Sequence, residues 1–206
     1  MSTLLVIAKA PVPGRVKTRL TPRFSMRQAA DLARAALEDT LAAVLDTPAR
    51  RRVLVLDGRP GPWVPAGLEV VAQSSGGLDV RLAAAFALAE GPTLLIGMDT
   101  PQVTPGLLAL GLDFTETGAW FGPAEDGGFW ALGLAAPDPA LLLGVPMSEA
   151  HTGEVQRRRL TDAGLAVRDL PALVDVDSPA DAERVASGAP WTRFAALHSG
   201  LCAMTR

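Results

Sequence analysis

After Thr3 the chain opens on an unbroken apolar run, Leu4 to Ala8, that stops at Pro11, Pro13 and Gly14. A run without alternation predicts a strand covered on both faces, the kind found in parallel sheets. Beyond a polar loop, Ser25 can cap a helix to about Leu45, because Ala30, Ala33, Leu37, Leu41 and Val44 recur at helical spacing and Pro48 follows. Apolar runs at 52–56, 68–71 and 93–97 predict three more strands, and a helix over 78–90 ends at Gly91. Thr104-Pro105 starts a short helix, strands follow near 119–122 and 129–134, then a helix near 153–163 and a strand near Val167. Ser178-Pro-Ala-Asp181 opens a last helix as a capping box with proline in its first turn.

Strands alternating with helices at this spacing predict an α/β fold with a mostly parallel sheet covered on both faces. Between 110 and 150 strand runs follow each other with little helix, which predicts one antiparallel strand or a small subsheet. No repeat or linker divides the chain, so one domain is expected over 1–188, with 189–206 as a loosely held C-terminal tail.

Composition narrows the function classes. The 206 residues include a single cysteine, Cys202, too few for an internal disulfide or a cysteine-based zinc site. No apolar run approaches the roughly 18 residues of a membrane span, and Met1-Ser2-Thr3 lacks the charge of a signal peptide. A soluble cytoplasmic protein is expected, with no membrane partner. Net charge is −3, yet residues 1–30 carry Lys9, Arg15, Lys17, Arg19, Arg23 and Arg27 and no acid. The remainder holds 13 basic against 22 acidic residues, which argues against nucleic acid as a partner and for a local anion site. Lys9 and Lys17 are the only lysines in the chain, and lysine meets phosphate as a compact point charge.

Four segments can carry chemistry. Lys9-Ala-Pro-Val-Pro-Gly-Arg-Val-Lys-Thr-Arg-Leu20 lies beyond the first strand, where α/β sheets bind ligands, and its four cations suit a polyphosphate. It lacks the glycine pattern of a Walker A loop or a dinucleotide turn. Asp99, in Leu94-Leu-Ile-Gly-Met-Asp-Thr-Pro101, follows the fourth strand and suits either a magnesium ligand or a turn cap. Gly122-Pro-Ala-Glu-Asp-Gly-Gly128 pairs two acids with two glycines, as a simple hairpin turn does, or as a loop whose backbone approaches a ligand does. Asp175-Val-Asp-Ser-Pro179 places two carboxylates on one side of an extended segment, as metal ligands or as charges favouring the next helix. Trp120 and Trp130 are expected in the core rather than stacked on a base. Arg81, at the start of the second helix, is a further candidate phosphate contact. His151 before Thr152 is a lesser candidate for orienting an acceptor, and His198 a lesser one still. No Ser, His and acid arrangement or placed thiol suggests covalent catalysis.

Together, Ala8 to Leu20, Ile96-Gly-Met-Asp-Thr-Pro101, Gly122 to Gly128 and Asp175 to Pro179, in this order, resemble the DUF2064 family of glycosyltransferase-like proteins. That family is similar to the nucleotide-diphospho-sugar transferase (GT-A) superfamily, which includes the guanylyltransferases for molybdopterin and phospholactate. The resemblance spans residue 3 to about 186. It implies a Rossmann-like three-layer α/β/α sandwich, a nucleotide-binding set of Lys9, Gly14, Arg15, Lys17, Arg19 and Arg81, and Mg2+ or Mn2+ held by Asp99 with Asp177 and Asp175. The departures are Val80 where many relatives have glycine, His151-Thr152 where they have Ser-Thr, and a short 106–118 region. These fall on the acceptor side.

Two transferase reactions suit such a site, with Lys17, Glu125 and Asp126 as the candidate catalytic residues. Nucleotidyl transfer from a nucleoside triphosphate to a phosphorylated small molecule needs cations and a metal but little acid–base machinery. Glycosyl transfer from a nucleotide sugar usually needs a general base, for which Glu125 or Asp126 would serve. Four cations favour the first. A noncatalytic nucleotide sensor is the third reading.

Overall fold

The computed structural model describes residues 2–21 and 23–204. Seven strands form one sheet: β1 (Thr3–Lys9), β2 (Arg51–Asp57), β3 (Glu69–Ala72), β4 (Thr93–Ile96), β5 (Ala119–Pro123), β6 (Phe129–Leu134) and β7 (Val167–Asp169). Their order is β3-β2-β1-β4-β6-β5-β7. Only β6 runs antiparallel to its neighbours β4 and β5, while the other pairings are parallel. The antiparallel strand expected in the 110–150 region is therefore β6, which returns directly from β5 through the 124–128 turn.

Successive residues of β1 enter different layers. Leu4 and Val6 pack with Leu54, Leu94 and Ile96 beneath α1 (Met26–Asp46) and α3 (Pro105–Leu110). Leu5 packs with Val53, Leu95 and Leu132 against α2 (Leu78–Phe86) and α4 (Thr152–Asp162). This accounts for the unbroken apolar runs, since neither strand face meets water. α2 is one turn shorter than the spacing predicts, with Ala87 already its C-cap. Trp120 and Trp130 are core residues, 4% and 2% exposed, and their indole N–H groups donate to the carbonyls of Asp113 and Pro171.

Residues 189–206 were expected to be loosely held. Instead Arg193–Ala203 forms a helix, α6, that packs with α5 (Pro179–Gly188) on the outer side of α1. The cause is a second apolar stripe on α1, Ala29, Leu32 and Ala36, which meets the fully buried Phe194 and Ala195. Asp39 of α1 fixes the start of α6 by accepting hydrogen bonds from the backbone N–H groups of Arg193 and Phe194, at 3.0 and 2.9 Å. A carboxylate there satisfies orphan donors and favours the helix dipole. His198 is buried in the same cluster, its ring against Phe24 and Phe194, and is a packing residue. Among the described residues no helix is long and apolar enough to cross a membrane.

Candidate active site

The parallel register sets the site. Val6 pairs with Ile96 and Lys9 with Asp57, so the loops after β1, β2 and β4 emerge at one edge of the sheet. There a cleft of about 510 Å3 opens, within the range of small-molecule sites. Of the residues singled out by sequence, Lys9, Arg15, Lys17, Arg19, Arg81, Asp99, Asp126, Asp175 and Asp177 line it. A second hollow of about 380 Å3 shares Lys9 and Arg15 and adds Asp57 and Arg59.

The loop after β1 is anchored by two apolar side chains, Val16 and Leu20, which are 7% and 0% exposed. Gly14 supplies a positive φ of 77° for the turn in which the Arg15 N–H donates to the Val12 carbonyl. Gly14 does not line the cleft; its part is to shape the loop. Lys17 lies in the left-handed region at φ 48°, unusual for a side-chain-bearing residue, and its carbonyl accepts the first bond of the 3-10 turn Thr18–Leu20. That backbone conformation costs about 1–2 kcal/mol and is found where surrounding structure enforces it.

The Lys17 ammonium is thereby aimed inward. Its Nζ lies 2.8 Å from Asp99 Oδ1 and 3.1 Å from Asp177 Oδ1, and Arg19 Nη1 lies 3.2 Å from Asp177 Oδ2. Burial by itself would lower the Lys17 pKa, but the Asp99 and Asp177 carboxylates reverse that and hold it above its ordinary value. The late acids reach the site because residues 170–176 run beside β5. The N–H groups of Leu170 and Leu173 donate to the carbonyls of Phe121 and Pro123. The Val176 N–H then donates to the Asp99 carbonyl at 2.9 Å, while the Val176 side chain, 1% exposed, is buried in the core. Alternation in this extended segment leaves Asp175 and Asp177 on the cleft side.

Asp175 carries the main electrostatic strain. Burial, then the charges of Asp99, Asp126 and Asp177, push its carboxyl up to about 7, against the opposing pull of Lys17. Because the folded chain holds this proton above the pH at which the unfolded chain releases it, stability falls as pH rises from about 4 to 7. Asp175→Asn should therefore raise Tm at pH 8 by about 5 °C in EDTA and by much less at pH 4.5. Thermal melts at the two pH values test this, and an equal gain at both would remove the charge explanation.

The carboxylates of Asp99 and Asp177, joined through one ammonium, and of Asp175, which feels their charges, are oxygen donors of the kind that a hard divalent cation takes. Among the described residues no three Asp, Glu, His or Cys side chains are gathered closely enough to hold a metal unaided.

Two acids predicted together are separated. Asp126 faces the cleft, its Oδ1 accepting from the Gly128 N–H at 2.8 Å. Glu125 does not line the cleft; its carboxylate pairs with Arg184 of α5 at 2.8 Å. Gly127, at φ 91°, serves chain packing, since a Cβ there would collide with the Ala150 carbonyl oxygen, whereas Gly128 lines the cleft. The Gly153 N–H donates to the Gly127 carbonyl at 2.8 Å, so the close approach is to the start of α4. His151 lies there too, exposed, with Nε2 3.3 Å from Glu149.

Sequence reasoning missed Gln73 and Ser148. Gln73 Nε2 donates to the carbonyls of Ala8 and Val55 at 2.7 and 3.1 Å, and its Oε1 accepts from Arg81 Nη1 at 3.1 Å. Arg81 is thus held at the cleft wall with a buried Nε that has no partner among the described residues, as suits an anion contact. The position of Gln73 directly after β3, at the ligand edge, as the first of the polar run Gln73-Ser-Ser75, was the available signal. Ser148 lines the cleft at φ 62°, for which the sequence has no signal.

Several solved structures share this architecture. A putative nucleotide-diphospho-sugar transferase from Desulfovibrio desulfuricans G20 matches with a TM-score of 0.78 at 27% identity, over 86% of this chain and 82% of that one. Rv0371c from Mycobacterium tuberculosis H37Rv, in complex with manganese, matches with a TM-score of 0.57 at 20% identity, over 89% and 97%. The 2-C-methyl-D-erythritol 4-phosphate cytidylyltransferase from Thermus thermophilus matches with a TM-score of 0.56 at 20% identity, over 92% and 100%. The last two establish the fold alone. No curated protein matches the chain. The family described as "uncharacterized protein conserved in bacteria" (DUF2064) matches residues 27–149, a span that includes Asp99 and the Gly122–Gly128 loop, and the chain belongs to that family.

Proposed function

We propose that the chain is a divalent-metal-dependent transferase acting on an activated nucleotide, and that it moves a nucleotidyl group from a nucleoside triphosphate to a phosphorylated small molecule. The carrying observation is Lys17 set between Asp99 and Asp177 in a cleft whose rim adds Lys9, Arg15 and Arg19. Cations suited to a polyphosphate thus adjoin carboxylates suited to a metal. Two of the similar structures bear transferase names, one of them a cytidylyltransferase.

In this reading Lys9, Arg15, Lys17 and Arg19 bind and orient the triphosphate, and Arg81, held by Gln73, takes an anionic group at the opposite wall. Asp99 and Asp177 would hold Mg2+ or Mn2+, with Asp175 behind them; such an ion neutralises charge on phosphate oxygens. An acceptor phosphate oxygen attacks the α-phosphorus, the bond to the β-phosphate oxygen breaks, and pyrophosphate leaves. The acceptor is already an anion near neutral pH, so no base is required, and Glu125 is free to serve its ion pair with Arg184.

A second reading, glycosyl transfer from a nucleotide sugar, draws on Asp126, the one acid of the 122–128 loop in the cleft and the group able to take a hydroxyl proton. Thermal stabilisation by a panel of nucleoside triphosphates and nucleotide sugars, with and without Mg2+, separates ligand classes. A ligand at 100 times its Kd adds about 2.7 kcal/mol. A triphosphate is expected to give the largest Mg2+-dependent rise. A rise from nucleotide sugars alone would favour the second reading, and no rise from either would contradict both.

A further inference from the structure

We propose that Lys17 is the resident counter-ion of the metal-ligating carboxylates and must leave them for a divalent ion to bind, so that metal and polyphosphate are taken up as a pair. The inference rests on the assignment of Asp99 and Asp177 as metal ligands. It starts from an asymmetry in exposure. The Lys17 side chain is only 8% exposed, whereas those of Asp99 and Asp177 are 40% and 41% exposed. The carboxylates face the open cleft, and the ammonium reaches them from inside the protein.

One ammonium at 2.8 and 3.1 Å already occupies an oxygen of each acid. A divalent cation on the same two oxygens would face Lys17 across a few ångströms of poorly hydrated space, where like charges repel strongly. The Lys17 backbone cannot withdraw as a unit. It sits in a left-handed turn between the buried Val16 and Leu20, so the movement available is rotation of the side chain. Once displaced, the ammonium loses both of its close partners while it stays buried, with only the more distant Asp175 to feel its charge, which is costly unless another anion receives it. A polyphosphate oxygen in the cleft is such an anion. Arg19 shares Asp177 but is 76% exposed, and it can release its acid into water at little cost. Lys17 is therefore the group that couples the two ligands, and free metal alone is disfavoured.

The test is Mn2+ binding to the full chain without nucleotide, followed by the electron paramagnetic resonance signal of free Mn2+. Lys17→Met keeps the length of the side chain and removes the charge. It is expected to bind Mn2+ at least about tenfold more tightly than the wild-type protein, because it removes the repulsion of a like charge a few ångströms away. The double variant Lys17→Met/Asp99→Asn should lose that gain. Lys17→Gln provides a second neutral variant, and circular dichroism confirms that each is folded. Equal Mn2+ affinity in the folded Lys17 variants and the wild type would overturn the proposal, as would a gain that survives Asp99→Asn. Neither result touches the functional reading, which stands or falls on the ligand panel with wild-type protein. Because Lys9 and Lys17 are the only lysines, selective labelling of lysine gives two side-chain signals. The Lys17 signal, identified with Lys9→Arg, should move on adding Mg2+ with inorganic triphosphate; a signal unmoved by the pair would also overturn the proposal.

Discussion

Asp99→Asn is expected to weaken metal-dependent nucleotide binding by about 100-fold or more while leaving the fold intact. Loss of a residue that only supports a metal ligand commonly costs 10- to 100-fold, and loss of the ligand itself should cost at least the upper figure. Asparagine keeps the volume and one carbonyl oxygen but removes the charge. The fold should survive because Lys17 retains Asp177 at 3.1 Å, and because the tie from Asp99 to the 175–177 segment runs through its backbone carbonyl, which the substitution does not touch. Calorimetric titration with nucleotide at saturating Mg2+ measures the effect. Undiminished affinity in a folded variant would remove Asp99 from the site.

The sheet was legible because its central strands carry unbroken apolar runs, Leu4–Ala8, Val53–Leu56 and Leu94–Ile96, and burial on both faces is what makes that pattern stable. The extra antiparallel strand was legible from the shortage of helix between residues 110 and 150. α6 was not. Its own apolar residues, Phe194 and Ala195, are ordinary, and what orders them is a stripe and a carboxylate on α1 more than 150 positions away in the chain. The stripe Ala29, Leu32, Ala36 was present in the sequence, but a helix with two apolar faces does not say what covers the second.

The site divides in the same way. Each charged residue was visible because a cation or carboxylate next to a strand end stands out against apolar surroundings. The resemblance grouped Asp99 with Asp175 and Asp177, but how they meet was not legible, since it depends on backbone hydrogen bonds, from Leu170 and Leu173 to β5 and from Val176 to Asp99, that join distant segments. Glu125 and Asp126 show the limit most clearly. Either could have served as the base, and only the turn at 124–127 shows that Asp126 enters the cleft while Glu125 goes to Arg184. The Gly127-Gly128 pair suited close approach to a ligand or to the chain equally well; the structure sets Gly127 against the Ala150 carbonyl and leaves Gly128 lining the cleft.

The central claim concerns which bond breaks, and product analysis addresses it directly. A general base contributes roughly 100-fold or more when it is required. Glu125 stands outside the cleft, so Glu125→Gln should keep most of the activity. The purified protein, given its triphosphate, a phosphorylated acceptor and Mg2+, is expected to release one pyrophosphate for each nucleotidyl product. Release of free nucleoside diphosphate from a nucleotide sugar, with no pyrophosphate from any triphosphate and acceptor, would contradict the account and assign the site to glycosyl transfer.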